Sequence, residues 1–233
     1  MAVFVVADPV KQGGALSSTH LAAQPTILAR LRQETRGEHD AVERVLDLMG
    51  ASLTREDYRQ RLEHFYGFYS PLEAALQSRG TLTNNAQGHT ALAPATRSAL
   101  ALRLNKAAHL RQDLRHIGVI PEDLLLCREL PPLETQAEVL GCLYVMEGAT
   151  LGGQMISRHI RATLNIAPST GGSFFEGYAG DTGKMWIAMR QLLVTSACDA
   201  QVENAIVANA IATFACLRAW CDRGKRSQRG RSA

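Results

Sequence analysis

Apolar residues recur at intervals of three and four along most of this 233-residue chain, the spacing of helices that bury one face. After Pro25, the stripe Leu28, Leu31, Val42, Leu46 and Met49, with Thr35 and His39 filling its gap, predicts one amphipathic helix. It starts from an N-cap at Thr26 and ends near Gly50. A second stripe, Tyr58, Leu62, Phe65, Tyr69, Leu72 and Leu76, predicts a helix whose start has the spacing of a capping box at Thr54 and Asp57. Pro71 is expected to kink it. Residues 80–88 read as a polar loop. A third helix is expected over residues 94–112, then a turn at Gly118 and a short helix from Pro121 that stops before Pro131. A long central helix over 133–163 and a loop at 168–172 follow. A helix over 181–197 then carries Met185, Trp186, Met189, Leu192 and Leu193. The last helix covers 198–221, with Val202, Ile206, Thr213, Leu217 and Trp220 on one face. No strand alternation of useful length and no repeat period stand out. The expectation is an all-α domain of seven or eight helices.

The central helix is apolar on nearly every side between Val139 and Ile156, as a buried helix should be. Within it Gly148, Gly152 and Gly153 interrupt the run. Each glycine costs roughly 1 kcal/mol against alanine in a helix interior, so three in close succession need a reason. One reason is a neighbouring helix packed against a groove of small residues. The other is a flat ligand lying against bare backbone.

Composition narrows the classes. Apolar residues make up 46% of the chain, enough for a sizeable core, and the net charge is +3. Five basic residues fall between Arg223 and Arg231, so the body is near neutral, and residues 223–233 read as a basic disordered tail. Without a basic stripe interleaved with aromatics, nucleic-acid binding is not expected. The five cysteines are odd in number and include no C-x-x-C pair, which fits a reduced, cytoplasmic protein rather than a disulfide framework or zinc site. The N-terminus is too short and uncharged for a secretory signal, and no apolar stretch is expected to span a membrane. Residues 1–24 have linker character and 25–222 form the folded domain.

Among the histidines, His39 lies mid-helix on the apolar stripe, one turn before Glu43. A carboxylate at i+4 can fix the imidazole tautomer and leave the other nitrogen for a metal. A core histidine with a chance partner would show the same pattern. Gly37, just before it, also weakens the helix where something needs close approach. No histidine has glutamate three residues before it, which disfavours a di-metal carboxylate bundle. No nucleophile-elbow, phosphate-loop or dinucleotide fingerprint occurs. A helix with one imidazole, facing a helix with bare backbone, makes a slot for a planar metal-bearing ligand. Haem, with one axial histidine and an open side for O2, suits it.

Two stretches carry a resemblance. Leu31-Arg-Gln-Glu-Thr-Arg-Gly-Glu-His39, with Glu43, resembles the proximal helix of haem oxygenases. Tyr144-Val-Met-Glu-Gly-Ala-Thr-Leu-Gly-Gly-Gln154 resembles their distal helix. The stretch from Phe174 to Trp186 is similar to the bacterial branch found with bacteriophytochromes. The resemblance covers residues 26–222. It implies cleavage of haem by O2 and reducing equivalents to biliverdin, CO and ferrous iron, with an external donor of the ferredoxin or flavin reductase type. The product would supply a bacteriophytochrome with its bilin, and the protein would act as a monomer or weak dimer. By resemblance, His39 is the iron ligand and Glu43 its neighbour. Arg32 and Tyr144 lie near a propionate, Lys184 and Arg190 are further propionate partners, and Phe214 lines the pocket. Gly148, Gly152 and Gly153 form the distal wall, with Gly148 closest to O2. The mammalian pattern has an aspartate after the first distal glycine, where this chain has Ala149. Thr150, Glu147 or a remote group acting through water would then deliver protons. A haem-binding or storage protein, haem degradation for iron acquisition, and a thiaminase-like helical enzyme are the alternatives.

Overall fold

A computed structural model describes residues 26–81 and 91–229, with side chains described as far as Arg223. The expected linker at 1–24 and most of the expected loop at 80–88 lie outside the described residues. Nine α-helices and three 3-10 turns occur among the described residues, and no strand. They are α1 (Ile27–Glu34), α2 (Arg36–Leu46), α3 (Arg55–Thr81), α4 (Pro94–Arg103) and α5 (Lys106–His116), then α6 (Gln136–Leu164), α7 (Ser173–Glu176), α8 (Thr182–Ser196) and α9 (Ala200–Arg229).

Two predicted helices are each split. The first bends at Thr35, because the Thr35 hydroxyl donates to the Leu31 carbonyl at 2.6 Å, a back-bond that competes with regular helix geometry. It also ends earlier than Gly50. Asp47 takes a left-handed conformation (φ 45°), which turns Leu48 inward and leaves Met49 37% exposed. The predicted 94–112 helix breaks at Leu104 and Asn105. There the first amides of α5 are capped from another helix: Glu73 of α3 accepts from Lys106 N–H at 2.8 Å and from Ala107 N–H at 3.0 Å. No local periodicity announces a cap supplied across 33 residues.

The short helix expected from Pro121 is only a 3-10 turn at Pro121–Asp123, and the central helix begins at Gln136 rather than 133. Thr54 and Asp57 exchange their capping bonds at 3.1 Å each, so aspartate serves in the box. The α3 stripe from Tyr58 to Leu76 is buried throughout, and the helix runs through Pro71. Gly118 sits at φ +80°, a turn glycine adopts freely. The central helix opens with a full capping box between Thr135 and Glu138. The last helix continues past Cys221 to Arg229, so the backbone of 223–229 is helical.

Helix α6 is the axis. It packs chiefly along α9, with α7 and α8 on its other sides, while α1 and α2 pack on α9 as well. Gly141 makes the α6–α9 approach possible, since a Cβ there would lie 2.4 Å from the Ile206 carbonyl oxygen. Contrary to expectation, α6 and residues 200–223 of α9 are each long and apolar enough to cross a bilayer. The α6 window is 78% buried inside the fold, so its apolarity is that of a core helix.

Candidate functional site

Helix α2 carries His39, whose side chain is 13% exposed. Its Nδ1 lies 3.4 Å from Asp40 Oδ1, and its buried Nε2 lies 3.8 Å from Glu43 Oε1. The Glu43 carboxylate thus stands beside the imidazole at i+4, and a second carboxylate joins it. Ligand atoms of His39, Asp40 and Glu43 all lie within 4.8 Å of one another. From α9, Phe214 meets the imidazole edge-on, with ring centroids 5.6 Å apart and planes at 79°. That contact limits tilting of the ring.

Helix α6 meets the α1–α2 bend at Tyr144. The Tyr144 phenol is buried, which pushes its pKa up, while a hydrogen bond with Thr35 and the charge of Arg32 oppose the rise. Its ring also packs on Trp186 of α8 at 5.9 Å. One turn along α6 from Tyr144 is Gly148, and one turn along the chain from Thr35 is His39, whose amide bonds to the Thr35 carbonyl. The contact between Thr35 and Tyr144 thus joins the segment that carries His39 to the one that carries Gly148.

The α6 glycines differ in what they face. A Cβ at Gly148 would meet nothing within 4 Å, whereas one at Gly153 would lie 2.9 Å from the Phe175 carbonyl oxygen. Gly153 therefore serves close packing of α6 on α7. Gly152 is buried, at the i+4 position from Gly148. Thr150 is two residues from Gly148, roughly 200° around the helix. Its hydroxyl donates to the Met146 carbonyl at 3.0 Å, and its methyl faces Gly177. The structure so turns Thr150 away from the face that Gly148 opens.

Glu147, another proton-delivery candidate, is committed elsewhere. Its carboxylate is 1% exposed and lies 3.0 Å from Lys106 Nζ and 3.3 Å from Arg103 Nε. The Tyr178 hydroxyl donates to it at 2.9 Å. Burial raises the Tyr178 phenol, and the Glu147 charge raises it further. Ala149 is half-buried and brings no polar group. Lys184 is 83% exposed and pairs with Asp181 at 2.8 Å, on the surface. Arg190 lines a shallow groove of about 310 Å³ with Leu28, Ile187, Gln191, Val194 and Thr195, between α1 and α8.

The donor set and the empty space suit a flat metal-bearing ligand. On α2 an imidazole is held by an aromatic ring, and on α6 a helix-interior glycine has room beyond it. A solved structure, the NO- and CO-bound heme oxygenase from Neisseria meningitidis, matches with a TM-score of 0.67. The match covers 85% of this chain and 92% of that one at 21% identity, and shows a shared fold. No curated protein matches the chain. The heme oxygenase family model matches residues 25–223. The chain belongs to the haem oxygenase family. Haem is therefore its ligand and haem degradation its reaction class, and the all-α expectation stands. In this haem oxygenase fold, the residues missed from sequence are Asp40, Thr35, Trp186 as a partner of Tyr144, and the Arg103–Lys106–Tyr178 set around Glu147. Asp40 had a signal, since it adjoins His39. The Glu147 partners come from three separate elements and had none.

Proposed function

We propose that the protein cleaves haem with O2 and electrons from an external ferredoxin or flavin reductase to give biliverdin, CO and ferrous iron. One observation above the others supports this: Gly148, inside the central helix, has open space beyond it, and Tyr144 one turn before it bonds to Thr35, one turn before His39. His39 would hold the iron through one ring nitrogen while the carboxylate beside the other, Asp40 at Nδ1 or Glu43 at Nε2, orients the imidazole and Phe214 fixes its plane. Haem, once bound, supplies both the O2-activating iron and the ring that is oxidised. Gly148 and Gly152 would let the backbone approach the ring, and Arg32 and Tyr144 would meet a propionate at the α1–α2 bend. Arg190 serves the same edge in this proposal, and Lys184 reaches it only by leaving Asp181. Protons would reach the site from solvent rather than from residues 147, 149 or 150, given their contacts.

The role we favour is supply of bilin to a bacteriophytochrome from the cytoplasm, supported by the resemblance of residues 174–186. The test is titration of the purified protein with haem. A one-to-one complex with a histidine-ligated spectrum, changed in His39→Ala, supports the site. Absence of that complex refutes it.

A further inference from the structure

A carboxylate with 1% exposure between two buried cations is a poor way to stabilise a helix. Burying an ion cluster costs desolvation that attraction only roughly offsets, and apolar groups of the same volume often do as well. Glu147 nevertheless takes Arg103 from the end of α4, Lys106 from the start of α5 and Tyr178 from the turn before α8. Arg103 is itself tied to the carbonyls of Ala99 (3.2 Å) and Met185 (3.0 Å), and the α5 amides beside Lys106 are capped by Glu73. Hydrogen bonds from Lys106 and Tyr178, with the Arg103 charge beside them, make a socket that fixes the angle at which the side chain leaves α6. The next residue is Gly148, which faces the open space. A rotation of α6 that released Glu147 would turn Gly148 off that space.

Resting on the haem reading above, we infer that Glu147 is a positioning residue: its ion cluster sets the rotation of α6 so that Gly148 backbone faces the bound macrocycle, and thereby selects which ring edge is oxidised. Two variants separate this from a purely structural role. Glu147→Gln keeps the shape and removes the charge. The triple variant Arg103→Met, Lys106→Met, Glu147→Leu replaces the socket with apolar groups, which should keep the melting temperature near wild type. Both should still bind haem through His39. In both, the circular dichroism of the bound haem should change, and the ratio of the main product isomer to the next should fall about tenfold. In haem-free protein, amide exchange at residues 145–149 should rise about tenfold in Glu147→Gln, with α3 unchanged. A folded triple variant with wild-type haem dichroism and isomer ratio would overturn the inference, as would unchanged exchange. Should Glu147→Gln not fold, the triple variant decides alone. Wild-type protein that binds no haem would refute the reading of the site, while the exchange measurement would still judge the anchor.

Discussion

Replacing Gly148 by alanine should move two properties in opposite directions. In the haem-free protein the added methyl meets no atom within 4 Å, so no strain opposes it. The helix then gains the ordinary difference between alanine and glycine, ~1 kcal/mol. For a domain of this size that is a rise in Tm of about 2–4 °C. With haem the same methyl stands where the ring must approach, and binding should weaken about tenfold, at the mild end of overpacking costs. The assays are thermal unfolding followed by far-ultraviolet circular dichroism and a Soret titration of the same preparations. Gly153→Ala is the control, because its Cβ would lie 2.9 Å from the Phe175 carbonyl oxygen. It should lower Tm. If Gly148→Ala also lowers Tm, or leaves haem affinity untouched, Gly148 is a packing glycine and the slot argument fails.

Gly141→Ala should be the most damaging of the glycine changes, because the backbone at Ile206, 2.4 Å from the new Cβ, cannot yield. A loss of ~3 kcal/mol in urea unfolding is expected, and a loss under about 1 kcal/mol would contradict the tight α6–α9 contact. Phe214→Ala should cost ~3 kcal/mol of stability and broaden the electron paramagnetic resonance of the haem complex as His39 gains freedom; an unchanged spectrum would remove Phe214 from the site. Burial raises the Glu73 carboxyl above its ordinary 4.5, outweighing its bonds from the Ala107 and Lys106 amides. The folded state then holds the proton more tightly than the unfolded state, so this contribution is fullest below pH 4.5 and is lost as pH rises through the folded value. Urea unfolding of wild type and Glu73→Gln over this range should show wild type losing ground with rising pH; a constant difference would contradict it.

The helices with clean stripes were readable because burial on one face imposes a period, and α3 and α6 appear much as their apolar positions require. The breaks were not, because they come from groups outside the periodic pattern: the Thr35 hydroxyl turning on its own helix, and Glu73 capping α5 from α3. The site divides the same way. His39, Glu43 and Gly148 lie in short stretches whose residue types suggest a use, and the structure brings the Thr35 bend before His39 to Tyr144. Glycines in one run, however, look alike in sequence, and only their neighbours separate Gly148, facing space, from Gly153, pressed on Phe175. Thr150 and Glu147 were plausible donors by proximity in sequence. Helical rotation carries the first away, and a charged socket holds the second.

The central claim is haem cleavage at a His39-ligated site. Its most direct test is aerobic turnover of the stoichiometric haem complex with a reductase, followed by chromatography and mass analysis of the pigment. A green, iron-free biliverdin is expected, with release of CO and ferrous iron, and both should be lost in His39→Ala. Haem recovered unchanged after repeated reduction in air would contradict it.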